Sequence, residues 1–174
     1  LKKQYMNDQE FKAFVVEDKD GEFIGSIKTR NIEALPKGDL LIKVSYSSLN
    51  YKDALSASGN KGVTRNFPHT PGIDAVGIIA ESDNAGFSEG DRVIVTSYDL
   101  GMNTAGGFSE YIRVPAEWAV KLPENLSMKE AMIYGTAGLT AGMSVLRLTE
   151  LVKPEDGKIM VSGASGGVGA LSVA

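Results

Sequence analysis

The sequence predicts a β-rich barrel, or a strongly curled sheet, followed by the opening strand-turn-helix step of an α/β nucleotide-binding unit. Three observations predict it. Short apolar segments alternate with Gly, Pro, Asn and Asp over the first two-thirds of the chain. Helical periodicity takes over after Ser127, and a glycine-rich turn lies at residues 163–169. Many short strands in about 115 residues favour closure or curling, which protects exposed sheet edges.

In chain order the candidate strands are "FKAFVV", "EFIGSIK", "LLIKVSYS", "DAVGIIAE", "DRVIVTS", "FSEYIRV" and "WAVKL". In "LLIKVSYS", Leu40, Ile42, Val44 and Tyr46 fall on one face and Lys43 and Ser45 on the other, as a period of two requires. After "KLPENLS", Ser127 and Glu130 have the spacing of a capping box, in which a hydroxyl and a carboxylate satisfy the free N–H groups of a helix start. A helix is predicted through "MKEAMIYGTAGLTAGMSVLRLTEL", broken around Gly135, with a domain boundary near residue 126. Trp118, Met132, Ile133, Leu139 and Val145 are assigned to the core.

Beyond Pro154 and Gly157, "KIMVSG" reads as a short buried strand, and Gly163, Gly166, Gly167 and Gly169 lie where it must swing into a helix. Glycine lets backbone approach a pyrophosphate, and a helix start offers free N–H groups. A glycine-rich surface turn is the competing reading. The "KIMVSG" strand and the helix start would be one step of a parallel sheet built by repeated crossovers, so either the natural chain continues past Ala174 or the chain is a truncated product.

Composition limits the chemistry. The 174 residues carry 43% hydrophobic and 23% charged side chains and a net charge of −4, which argues against a general affinity for nucleic acid. No apolar run is long enough to span a membrane, and "LKKQYMNDQE" lacks the apolar middle of a signal peptide, so a cytoplasmic protein is expected, with Met6 as a candidate natural start. There is no cysteine and one histidine, His69, which leaves no thiolate nucleophile or sulfur-ligated zinc. His69, in a proline-bounded loop, reads as a packing or surface residue; Lys61 and Arg65 belong to a solvated loop or attract an anionic phosphate.

Several stretches together resemble a known family. "SSLNYKDAL", "RNFPHTPGIDAVG", "GGFSEY", "GTAGLTA" and "VSGASGGVGALSVA" are similar to the medium-chain dehydrogenase/reductase superfamily, in its zinc-free branch of YhdH/YhfP-type quinone oxidoreductases and acryloyl-CoA reductases. The resemblance covers nearly the whole chain and implies a GroES-like β-barrel catalytic domain, residues 1–126, followed by the start of an α/β Rossmann domain, residues 127–174, the chain being the N-terminal half of such a protein. Zinc-dependent members place a ligating Cys where this chain has Asn50, and a His and an acid where it has Ile73 and Asp74. No zinc is therefore expected.

The resemblance implies NADPH as cofactor and a small-molecule enoyl-CoA or quinone as substrate, in a homodimer at full length. By the same matching, Asn50, Asp53 and Asp74 are the catalytic candidates, with Asn50 and Asp74 facing substrate and Asp53 as support or proton relay. Tyr51, Thr136, Thr140, Ser162, Ala164, Ser165, Gly166, Gly167, Val168 and Gly169 are the cofactor-binding candidates. Plainer readings stand beside these: loop aspartates bonding nearby backbone, and threonines bonding the preceding helical turn. A further alternative is an inactive fragment that acts only by association.

Overall fold

The computed structural model describes residues 9–174, so the candidate start at Met6 lies outside the described residues. Two compact units divide after Met132, and each is taken by itself.

The first unit holds all seven expected strands. Strands β1 (Glu10–Lys19) and β2 (Glu22–Asn31) form an antiparallel hairpin closed at Asp20 and Gly21. Both turn residues have positive φ, 56° and 90°, the backbone demanded by a two-residue turn whose twist matches its strands. Asp18 Oδ1 accepts from Gly21 N at 2.9 Å and closes the turn.

Strands β3 (Leu40–Tyr46), β4 (Asp74–Ser82), β5 (Arg92–Thr96), β6 (Tyr111–Val114) and β7 (Ala119–Lys121) form a second antiparallel sheet in the order β6-β3-β4-β5-β7. The expected closed barrel is not seen among the described residues; the strands form two open sheets. Strand β1 is bonded to the loops that precede β4 and β6 by paired backbone bonds between Val16 and His69, at 2.8 and 2.9 Å, and by Phe14 N to Phe108 O at 2.8 Å.

Strand β3 departs from simple alternation. Leu40 and Ile42 enter the main core with Ala75, Ile79, Val93, Val95 and Ile112, yet Leu41 is equally buried on the opposite side with Phe11, Val15 and Ile32. The β1-β2 hairpin covers that second face, so both faces of β3 are apolar at its start. Its far end escapes burial: the pairing slips between Val44 and Tyr46, and Tyr46 is exposed.

A short helix, α1 (Tyr51–Ala57), follows β3. Beneath it, four glycines lock two loops together. Gly72 and Gly101 have φ of 111° and 69°, and a Cβ on Gly72, Gly101, Gly106 or Gly107 would overlap backbone atoms of the facing loop. Gly107 N donates to Gly72 O at 2.8 Å, and Gly106 N to Thr70 O at 2.8 Å.

Helix α2 (Met128–Thr149) begins with the expected capping box: Ser127 N donates to the Glu130 carboxylate at 2.9 Å, and Glu130 N to Ser127 Oγ at 3.2 Å. The expected break occurs at Gly135, whose φ of 49° and ψ of −152° are not helical. Ala131 and Met132 pack with Val76 and Leu122 in the first unit.

The second unit corrects two expectations. Residues 158–163, expected as a strand, form none, because no neighbouring segment among the described residues supplies a hydrogen-bonding edge. Ile133, Leu139 and Val145, assigned to the core, are exposed, Ile133 at 62%. Trp118 is half-buried: it packs on the main core and stacks on Tyr98 at 5.4 Å. Helix α3 (Gly167–Val173) does follow the glycine-rich turn. No helix among the described residues is long and apolar enough to cross a membrane.

Candidate active site

Asn50, Asp53 and Asp74 are brought together at the start of α1 and the start of β4. Asn50 is the N-cap of α1 with extended backbone, φ −124° and ψ 153°. Its N–H donates to Asp53 Oδ2 at 2.8 Å, which is half of a capping box. Its side chain, where an N-cap would ordinarily accept from the helix, instead donates Nδ2–H to Asp74 Oδ2 at 2.8 Å. Asn50 is half-buried, so this amide faces both the protein and the surface.

Asp53 is 2% exposed, and its other oxygen accepts from Gly72 N at 3.2 Å and Ile73 N at 2.9 Å. One carboxylate therefore staples the helix start to the loop that leads into β4. Burial pushes its pKa up, the hydrogen bonds from Asn50 and Ile73 oppose that rise, and the neighbouring charge of Asp74 adds to it. These bonds are the ones that the plainer reading, an aspartate bonding nearby backbone, describes.

Asp74 is fully buried as the first residue of β4, paired in register with Thr96 of β5. Ser47 Oγ donates to its carbonyl at 2.6 Å, and Ser48 Oγ donates to Met132 O at 2.6 Å. These two serines fix the segment between β3 and α1. Sequence reasoning quoted them as part of a motif and missed the role; their signal is a pair of hydroxyls immediately before an N-cap. Tyr51, first residue of α1, is 80% exposed.

His69, buried at 6% exposure, makes a 2.9 Å hydrogen bond from Nε2 to Gly101 O. A carbonyl can only accept, so Nε2 carries the proton. Burial lowers its pKa, the Gly101 bond and the charge of Asp99 partly opposing, and the ring is neutral. Its place is the packed loop, as expected.

Within the second unit, Thr140 Oγ1 donates to Thr136 O at 2.8 Å, the back-bond of a helical threonine. Ser162, Ala164, Ser165, Gly166, Gly167 and Val168 are exposed around the turn, and Gly169 is half-buried. Gly163 has φ 66°, and Gly166 N donates to Gly163 O at 2.9 Å. A Cβ on Gly169 would overlap Gly163, so the first turn of α3 closes directly on bare loop backbone. This turn fits a pyrophosphate: its backbone is unshielded by side chains and leads into a helix start.

The donor set for a metal is different. Ile73 is apolar and buried, and no group of three His, Asp or Glu side chains among the described residues could hold an ion.

A five-stranded antiparallel sheet, a hairpin lid and a polar cluster at the sheet's helix-bearing end define the GroES-like fold of medium-chain dehydrogenases and reductases. Residues 36–124 match the family model of the alcohol dehydrogenase GroES-like domain, and the chain belongs to that family. The Bacillus subtilis protein YhfP is 48% identical over 164 residues, 94% of this chain and 50% of its own; its crystal structure with NAD bound matches with a TM-score of 0.91 over 95% of this chain and 51% of that one. The crystal structure of the yhdH oxidoreductase from Salmonella enterica in complex with NADP matches with a TM-score of 0.91 and 42% identity, over 93% of this chain and 50% of that one. Acrylyl-CoA reductase AcuI of Ruegeria pomeroyi is 39% identical over 168 residues, 94% of this chain and 51% of its own. The chain spans about half the length of the relatives it matches.

Proposed function

We propose that the protein carrying this sequence is an NADPH-dependent reductase of an activated carbon–carbon double bond, acting on a short 2-enoyl-CoA of the acryloyl type without zinc. The observation that carries the proposal is the Asn50–Asp74 hydrogen bond at 2.8 Å, an oriented amide at the position where the resemblance places a zinc ligand. The printed names of the similar proteins, an acrylyl-CoA reductase and an oxidoreductase with NADP, support the same chemistry.

The chain's own residues divide the work. Asp74 holds the Asn50 amide by one N–H, which leaves the second N–H to donate to a thioester oxygen as negative charge gathers on it. Asp53 holds the backbone of Asn50, Gly72 and Ile73 in one frame, so the amide need not reorganise during reaction. Gly163, Gly166, Gly167 and Gly169, with Ser162, Ala164, Ser165 and Val168, would hold the cofactor pyrophosphate, and Tyr51, Thr136 and Thr140 the nicotinamide end. The chemistry supplied by bound NADPH is a hydride for the β-carbon, with a proton completing the α-carbon.

Reduction of a quinone is the second reading. The stacked Tyr98–Trp118 pair favours it, because Tyr98 stands two residues past Thr96, the partner of Asp74, and a planar ring can lie on an exposed aromatic. The test is incubation of the protein with deuterium-labelled NADPH and acryloyl-CoA, read by mass spectrometry of the product. Deuterium on the β-carbon is expected; its absence, with NADPH oxidised when a quinone replaces acryloyl-CoA, would replace the first reading by the second.

A further inference from the structure

A cavity of about 250 Å³ lies under the β1-β2 hairpin, lined among others by Phe11, Arg30, Leu35, Pro36, His69 and Thr70. It does not include Asn50, Asp53 or Asp74. Three of its polar groups have no partner among the described residues. Arg30 sits opposite Phe11 in the hairpin register, and paired residues point to the same face. Phe11 is core, so Arg30 is carried on the inward side of the hairpin, yet its guanidinium has no ion pair or hydrogen bond among the described residues. Thr70 is 5% exposed and its hydroxyl bonds no other described residue. His69 commits Nε2–H to Gly101 O, which leaves Nδ1 as an unpaired acceptor.

The loop's own acid does not serve as the missing counter-charge. Asp99 does not line the cavity, and its oxygens accept from Asn103 Nδ2 at 3.2 Å and Thr104 Oγ1 at 3.1 Å. A cation and a hydroxyl donor beside a neutral ring nitrogen and apolar walls call for a specific chemistry. The planar guanidinium fork matches a carboxylate, the apolar side chains match a short carbon chain, and the ring nitrogen can accept from a hydroxyl.

We propose that this cavity binds a short-chain hydroxycarboxylate, with Arg30 and Thr70 on the carboxylate, Phe11, Leu35 and Pro36 against the carbons, and His69 Nδ1 accepting from the hydroxyl. The site is separate from the reductase proposal and stands or falls without it.

The test is titration of the protein with lactate, propionate and inorganic phosphate, followed by two-dimensional amide NMR. Saturable shifts confined to residues around Arg30, Thr70 and His69 are expected with lactate. Propionate should bind several-fold more weakly, and Arg30→Gln should weaken lactate at least tenfold while the spectrum elsewhere keeps its folded dispersion. Phosphate binding as well as lactate would overturn the organic ligand. Lactate shifts that survive in Arg30→Gln, or no saturable shifts at these residues, would overturn the site. A second variant, Arg30→Lys, keeps the charge without the fork and should retain only part of the affinity; full retention would overturn bidentate recognition.

Discussion

Asn50 spends its backbone N–H on the helix cap and its side chain on Asp74, so the two roles separate under mutation. Asn50→Ala keeps the backbone bond to Asp53. Turnover should fall by about 10²–10³, the loss typical of one oriented donor, while stability falls by only about 1 kcal/mol; steady-state kinetics and urea unfolding of the same sample check both. Proportionate losses would mean that the amide is structural. Asp53 gives a pH signature instead. Its folded pKa stands above the ordinary value of 3.8, chiefly through burial, so the folded chain holds that proton more tightly than the unfolded one. Stability from this group is present at acid pH and lost as pH rises through the folded value. Asp53→Asn should therefore flatten the decline in the urea midpoint on going from mildly acid to neutral pH, and at neutral pH should cost about 1–3 kcal/mol for a misplaced buried donor. How far such a cluster can be read from sequence is limited: Asn50 and Asp74 are 24 residues apart, and only the resemblance joined them. The Asn50–Asp53 cap was not read from the sequence, and the bonds to Gly72 and Ile73 depend on a loop brought near by tertiary structure.

At the scale of elements, legibility followed how local the cause was. The seven strands were readable because alternation and turn residues act within a few positions. The Ser127–Glu130 cap is equally local, and Ser127→Ala should lower stability by about 1 kcal/mol in thermal or urea unfolding. Gly135 was readable as a break but its reason was not: at φ 49° and ψ −152° the backbone lies where side chains clash. Gly135→Ala should cost about 1–3 kcal/mol, although alanine is the better helix former, and unfolding that shows a gain would refute the strain. Segment 158–163 failed as a strand because apolar β-formers express that preference only beside a partner edge. Helix α1, of seven residues, is too short for periodicity to reveal.

At the scale of the whole molecule, the chain divides after Met132 into two units of different packing. The first has three buried apolar clusters, whereas residues 157–160 and 162–168 are exposed throughout. Amide exchange should divide the same way, with β3, β4 and β5 protected to near the global unfolding limit and residues 158–168 exchanging far faster. Uniform protection would refute the division. The covering of both faces of β3 was not legible in the sequence, since it needs a hairpin folded back from the preceding segment. The interlock of Gly72, Gly101, Gly106 and Gly107 reaches beyond stability. Each of these positions already holds the smallest residue, so every missense change in their codons adds atoms where facing backbone leaves no room. Gly21 and Gly90, with open space around them, tolerate added bulk and are limited only by their positive φ. A library of random variants should therefore retain folded members changed at Gly21 or Gly90 and lose those changed at the four interlocked sites, leaving the support of Asp53 and Asp74 among the least evolvable parts of the chain.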